Sequence, residues 1–277
     1  MNFVEEENIL ELNRVVMAFG GLMALSNLSF QVKRGMIKAI IGPNGAGKTT
    51  LFNIITGSFQ PTQGSVRFKG LPIEHLKAHK IAQRGISRTF QTVELFGNMT
   101  VLENVMLGCH TRIRSSFLSS GFQLPKFRQK EAQIKESAMK ILKFIGLAEK
   151  FNDRADSLPL GEQKILEIGR ALASEPELIC LDEPAAGLNE TETYVASSLI
   201  RAINAKGVTV LLVEHDMKVI MNISDEIAVL NYGQKIAEGS PEEIQNNRRV
   251  IEAYLGRRAT GTPGAKNGSG QLRPPAA

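Results

Sequence analysis

The sequence predicts an α/β fold with a mainly parallel sheet, and three observations carry that prediction. From residue 36 onward, short apolar runs alternate with helical patterns, the arrangement of a parallel sheet covered by helices. One run, Met36-Ile37-Lys38-Ala39-Ile40-Ile41, passes directly into the glycine-rich loop Gly42-Pro43-Asn44-Gly45-Ala46-Gly47-Lys48-Thr49-Thr50 and then into a helical pattern. Two others end at Asp182-Glu183 and at Glu214-His215, where open α/β sheets bind their ligands.

The elements follow in order. Residues 9–33 alternate loosely between apolar and polar, with breaks at Gly20-Gly21 and Gly35, so two or three antiparallel strands are expected. The loop and its helix end at Gly57. A turn at Pro61-Thr62-Gln63-Gly64 leads into a strand at Ser65-Val66-Arg67-Phe68. Helical spacing runs from Ile73 to Arg84, and Ile86-Ser87-Arg88-Thr89-Phe90 reads as a strand. From Gln91 the texture turns helical. Thr100 caps one helix, and Ile134, Ala138, Ile141, Leu142 and Ile145 make the apolar stripe of another that stops at Gly146. Residues 91–157 are thus expected to be a helical insertion between two halves of the α/β core.

A helix is expected from about Gly161 to Ser174, a strand at Leu178-Ile179-Cys180-Leu181, and a helix from Glu190 to Lys206. Val208-Thr209-Val210-Leu211-Leu212-Val213 is the next strand, and a short helix begins at Met217. Strands near 225–230 and 234–237 follow, with a helix from Pro241 and a last one ending at Tyr254. The expected organisation is one domain, residues 1–256, followed by a disordered basic tail, 257–277.

The 277 residues suffice for a large core, and a hydrophobic share of 43% is ordinary for a soluble globular chain. No apolar run approaches the ~18 residues that span a bilayer, and the start lacks a signal-peptide apolar segment, so a cytoplasmic location is expected. Cys180 sits in a core-strand pattern, which favours a buried thiol over a disulfide, and two cysteines make no metal site. The net charge is +5, but Arg257, Arg258, Lys266 and Arg273 of the tail carry four of those charges. The body is left at +1, which is no nucleic-acid footprint. The segment Thr111 to Lys130 is basic with three phenylalanines; contact with a membrane or partner and a solvated loop both fit it.

The loop at residues 42–50 matches the phosphate-binding pattern G-x-x-x-x-G-K-[ST]. Its glycines let successive N–H groups turn toward phosphate oxygens, Lys48 reaches the β- and γ-phosphates, and Thr49 offers a hydroxyl to Mg²⁺. Nucleotide binding follows. Asp182 emerges from a buried strand and suits holding Mg²⁺, while Glu183 suits polarising the attacking water. His215 falls on the same strand-end rim, within reach of the γ-phosphate. Gln91 ends a strand; from its chemistry alone, a Mg²⁺ ligand and an ordinary surface amide are equally good readings. Phe19, read alone, is a core phenylalanine before it is an adenine platform.

Taken together, these residues resemble the nucleotide-binding subunits of ABC transporters, over about residues 8–256. The resemblance rests on the phosphate loop, on Thr89-Phe90-Gln91, and on Leu158-Pro159-Leu160-Gly161-Glu162-Gln163. It continues through Leu181-Asp182-Glu183-Pro184, Ala186-Gly187-Leu188-Asn189 and Glu214-His215-Asp216. Within the family, Phe19-Gly20-Gly21, residues 182–189, Glu214-His215-Asp216-Met217-Lys218 and Ala253-Tyr254-Leu255-Gly256 resemble the branched-chain amino-acid importers. The resemblance implies the P-loop ATPase fold of these cassettes, with an N-terminal antiparallel β subdomain. It makes Phe19 the adenine platform, makes Gln91 and His215 catalytic, and makes residues 158–163 a signature that caps ATP held by a second cassette. Where the family shows Leu-Ser-Gly-Gly-Gln, this chain has Leu158-Pro159-Leu160-Gly161-Glu162. Pro159 removes a hydroxyl and a backbone donor, and Glu162 adds a negative charge near phosphate.

The implied activity is Mg²⁺-dependent ATP hydrolysis that drives branched-chain amino-acid import. The implied partners are permease subunits, a second identical or different ATP-binding subunit and an external binding protein, with the chain on the cytoplasmic face of the membrane. Other cargoes, such as urea import or lipopolysaccharide export, and a soluble ABC ATPase are the alternatives. A guanine-reading Asn-Lys-x-Asp is absent from the sequence.

Overall fold

The structure is a computed structural model that describes residues 8–110 and 125–259. Two long strands, β1 (Asn8–Phe19) and β2 (Leu22–Lys33), pair antiparallel across the Gly20-Gly21 turn. With β4 (Gln63–Phe68) and β5 (Leu71–Pro72) they form a four-stranded antiparallel sheet in the order β2-β1-β4-β5. The second sheet has six strands. Its members are β3 (Ile37–Ile41), β6 (Ile86–Arg88), β7 (Leu178–Asp182), β8 (Thr209–Val213), β9 (Glu226–Asn231) and β10 (Gln234–Gly239). The order is β10-β9-β3-β8-β7-β6, parallel except for β10, which folds back antiparallel on β9. The expected fold class is therefore the observed one.

Strand periodicity divides the core. Successive side chains point to opposite faces of a strand, so each central strand feeds two hydrophobic layers. Ala39, Ile41, Ile179, Leu181, Val210, Leu212, Ile227 and Val229 enter one layer, which the helices cover. Ile40, Leu178, Cys180, Leu211, Val213, Ala228 and Leu230 enter the other, shared with the four-stranded sheet and with α1 (Lys48–Ile55). Leu212 is wholly buried at the centre. We expect Leu212→Ala to cost about 2–5 kcal/mol of stability, read by urea denaturation; a loss under about 1 kcal/mol would contradict this packing.

The helices include α2 (Ala78–Gln83), α3 (Val101–His110), α4 (Pro125–Phe144), α5 (Leu160–Leu172), α6 (Glu190–Ala205) and α7 (Met217–Ile223). Thr100 caps α3 as expected: its hydroxyl accepts the Glu103 N–H, and the Glu103 carboxylate accepts the Thr100 N–H at 2.8 Å. That backbone bond holds the Glu103 pKa below its ordinary value. Helices α3 and α4 lie in the region expected to be helical.

Two helix boundaries differ from expectation by more than two residues, and the strand expected at 86–90 ends at Arg88. The helix expected from Ile73 starts only at Ala78, because the Glu74 carboxylate accepts the backbone N–H groups of Val66 and Ile73 and fixes a turn there. The basic stretch 111–130 has residues 111–124 outside the described residues, and α4 takes up the chain at Pro125. After α8 (Pro241–Gln245), helix α9 (Arg248–Ala259) passes the end expected at Tyr254 and enters the segment expected to be disordered. Residues 260–277 lie outside the described residues.

What positions the site is the common direction of β3, β6, β7 and β8. Their C-terminal ends deliver the phosphate loop, Thr89-Phe90-Gln91, Asp182-Glu183 and Glu214-His215 to one edge of the sheet.

Candidate nucleotide site

The phosphate loop joins β3 to α1. Gly45 (φ 79°) and Gly47 (φ 102°) occupy left-handed backbone that a side chain rarely adopts. A Cβ on Gly47 would also lie 2.7 Å from the Ala24 carbonyl oxygen and from Leu25 Cδ2. The Lys48 ammonium folds back over the loop and donates to the carbonyls of Gly42 (2.7 Å) and Pro43 (3.2 Å). Thr49 is exposed at the first turn of α1, and that turn carries no acidic residue, so the positive helix end faces the cleft uncompensated.

Glu183 is the focus of the polar contacts. It sits one residue beyond β7 with φ 51°, a left-handed conformation that costs a non-glycine residue about 1 kcal/mol or more. Its carboxylate accepts the Gln91 amide at 3.0 Å and shares a 2.8 Å hydrogen bond with His215 Nε2. Its backbone is pinned by the Lys164 ammonium, which donates to the Glu183 carbonyl at 2.8 Å, and by its own N–H, which donates to Val213. Burial pushes the Lys164 pKa down and the Glu214 pKa up. The Glu214 carboxylate accepts the Ala185 and His215 N–H groups and so fixes the turn that carries His215.

Asp182 behaves differently. It is almost wholly buried, and Arg88 donates to its carboxylate at 2.9 Å. Thr49, Gln91 and Glu183 bring hard oxygen donors to one cleft with the loop; Asp182, at the end of β7, offers a further carboxylate but does not line that cleft. Such a set, with only one or two carboxylates, fits a small divalent cation completed by phosphate oxygens and water. Among the described residues no group of three His, Cys, Asp or Glu side chains forms a closed metal cage. Cys180, in β7 beside Asp182, is a buried thiol whose pKa burial pushes up to about 12.

Phe19, the residues from Asn44 to Thr50, Gln91, Glu183 and His215 line one open cleft of about 810 Å³. Phe19 is 42% exposed at its mouth, edge-on to Phe59 with ring centroids 5.3 Å apart. The plain core reading of Phe19 is therefore corrected: end-of-strand placement leaves the ring at the surface, free to stack. Sequence reasoning missed Tyr232, which lines the same cleft from the β9–β10 turn; a Tyr-Gly turn carries no local sign of a ligand. It also missed Arg88 and Lys164, whose bonds to the Asp182 carboxylate and the Glu183 carbonyl join separate elements.

Leu158 to Gln163 do not line this cleft. Pro159 is the N-cap of α5, the Gln163 N–H donates to its carbonyl, and the Gln163 side chain donates to the Leu158 carbonyl at 2.8 Å. Lys150 pairs with Glu162 at 2.6 Å, so a cation sits against the charge that replaces the usual glutamine. Leu160 is exposed, and a Cβ on Gly161 would lie 2.8 Å from the Glu192 carboxylate.

The sequence pattern of the ABC transporter family matches residues 25–186. The chain belongs to the ABC transporter family. A second family pattern, the branched-chain amino acid ATP-binding cassette transporter, matches residues 234–260, which span β10 through α9. Among relatives, the chain is 46% identical over 249 residues to BraF of Pseudomonas aeruginosa, a high-affinity branched-chain amino acid transport ATP-binding protein, covering 90% of this chain and 98% of that one. A nucleotide-free ATP-binding cassette from an ABC transporter superposes with a TM-score of 0.79 at 38% identity, covering 89% of this chain and 98% of that one. A dimeric cassette in a post-hydrolysis state with ADP and phosphate superposes at 0.71 with 27% identity, covering 84% and 98%. ATP binding and hydrolysis are characteristic of this ABC family, and its cassettes work as subunits of transporter complexes. Among the described residues no helix is long and apolar enough to cross a membrane.

Proposed function

We propose that this chain binds Mg²⁺–ATP and hydrolyses it to power branched-chain amino-acid import. The convergence of Phe19, the phosphate loop, Gln91, Glu183 and His215 on one cleft carries this reading. The adenine stacks on Phe19, and the phosphates lie across the N-terminus of α1 with Lys48 turned from the loop carbonyls onto their oxygens. Thr49, Gln91 and Asp182 would hold a Mg²⁺ ion, which when bound would supply positive charge to offset that of the phosphate oxygens. Glu183 aligns and deprotonates the attacking water, Gln91 keeps its carboxylate aimed, and His215 stabilises the charge that builds on the γ-phosphate.

A second ATP-binding subunit, identical or different, closes the cleft with its signature segment, while Leu158, Pro159, Leu160, Gly161, Glu162 and Gln163 of this chain cap the ATP held by that subunit. The Lys150–Glu162 pair supports this assignment, since it offsets the negative charge that would otherwise face phosphate. Residues 1–256 form the ATPase domain, and the helical insertion at 91–157 passes its motion to permease subunits in the cytoplasmic membrane. A mainly apolar groove of about 480 Å³, flanked by the exposed rings of Phe90 and Phe96 beside Gln91, is the place for a permease segment. An external binding protein delivers cargo to the permeases.

Affinity purification from detergent-solubilised membranes tests this reading. It is expected to return two permeases, an ATP-binding subunit and an amino-acid-binding protein. Recovery of ribosomes, or of no membrane protein, would refute the transport role while leaving the ATPase chemistry intact.

A further inference from the structure

A buried cation beside the site, Arg88, has no role in the proposed hydrolysis. Arg88, the last residue of β6, is only 7% exposed in its side chain and reaches across to β7, where it donates to the Asp182 carboxylate at 2.9 Å. Its other terminal nitrogen donates to Asn53 at 2.6 Å and to Thr56 at 3.3 Å, on and just after α1. The guanidinium also lies 5.6 Å from the Phe52 ring centroid and 5.1 Å from that of Phe90. Its Nε is buried without a hydrogen-bond partner.

Resting on the ATPase reading of this site, we infer that Arg88 is an internal counter-ion that occupies Asp182 in the empty site and competes there with the divalent cation. Two positive centres sharing one carboxylate in a water-poor setting repel each other. The cation therefore binds against the Arg88 charge, and its affinity is set lower than the oxygen donors alone would make it. The exchange needs an alternative home for a buried guanidinium, because an arginine stripped of its partner and left buried is strongly destabilising. Asn53, Thr56 and the two ring faces supply that home.

The same side chain faces outward as well. Arg88 and Phe90 both border the apolar groove, three residues and one residue before Gln91. A permease segment pressed against Phe90 bears on the guanidinium and, through it, on Asp182. Arg88 is thus a positioning residue that ties metal affinity to what fills the groove.

The test is a Mn²⁺ titration followed by electron paramagnetic resonance on the purified full chain with ADP, which excludes turnover. Arg88→Gln removes the competing charge, and half-saturation is expected at about tenfold lower Mn²⁺. The metal-free variant should also melt at lower temperature, since Asp182 loses its partner. Arg88→Lys keeps the charge but cannot bond Asp182 and Asn53 together with a planar fork, so about threefold tighter binding is expected. Unchanged or weaker Mn²⁺ binding in either folded variant overturns the inference while leaving the site's function intact. A wild-type chain that takes up no Mn²⁺ with ADP would overturn the site assignment itself.

Discussion

Glu183→Gln will stop ATP turnover while leaving ATP bound. The substitution keeps the shape of the side chain and its capacity to accept the Gln91 amide, but an amide cannot take a proton from water. General-base removal of this kind costs about 10²–10⁴-fold in rate. Binding should survive because the groups proposed to hold the phosphates, Lys48 and the N-terminus of α1, are untouched. The left-handed backbone at residue 183 is held by Lys164 and by the bond to Val213, not by the carboxylate, so the fold should tolerate the change. Phosphate release and filter binding of labelled ATP, measured on the same preparation, decide the matter. Undiminished hydrolysis would remove Glu183 from the base role, and loss of ATP binding would show that the carboxylate serves the ground state.

The second large effect is expected at Lys48. Lys48 is a buried residue whose ammonium donates to the Gly42 and Pro43 carbonyls, so it is pre-positioned at the loop. Hydrogen bonds to a charged group contribute about 1.5–3 kcal/mol each, so Lys48→Ala should weaken ATP binding by about 10- to 100-fold. Adenosine affinity, which the proposed site assigns to Phe19, should change little. Calorimetric titration with ATP and with adenosine separates the two. Equal loss for both ligands would mean that the substitution collapsed the loop and did not remove a phosphate contact.

Much of this site was legible in the sequence because its signals are local. The phosphate loop is nine consecutive residues whose glycine spacing, lysine and hydroxyl each have a backbone or charge requirement met within the segment. Asp182-Glu183 and Glu214-His215 were legible because an apolar strand ending in polar residues must present them at a sheet edge. Gln91 could not be decided that way. Its bond to Glu183 crosses 92 residues of chain, and only the parallel pairing of β6 with β7 brings the two together.

Arg88 and Lys38 were illegible for the same reason. Lys38 sits in the middle of an apolar strand and is 1% exposed, yet it is satisfied by the Gln31 carbonyl, Glu226 and Glu238, whose partners lie seven, 188 and 200 residues away. A buried charge announces its cost in sequence but not its partner. The missed start of α2 has a different origin: periodicity from Ile73 favoured helix, and a single carboxylate, Glu74, overruled it by accepting the N–H groups of Val66 in β4 and of Ile73 just past β5.

The most direct test of the account is a structure, by cryo-electron microscopy, of the Glu183→Gln chain in its transporter complex with ATP and Mg²⁺. The account predicts adenine against Phe19, the γ-phosphate at Lys48 and the start of α1, Gln91 and Asp182 at the cation, and Leu160 and Gly161, or their equivalents, of the second ATP-binding subunit closing over the phosphates. Nucleotide bound away from the 42–50 loop, or a closed dimer whose signature segments lie far from the γ-phosphates, would contradict it.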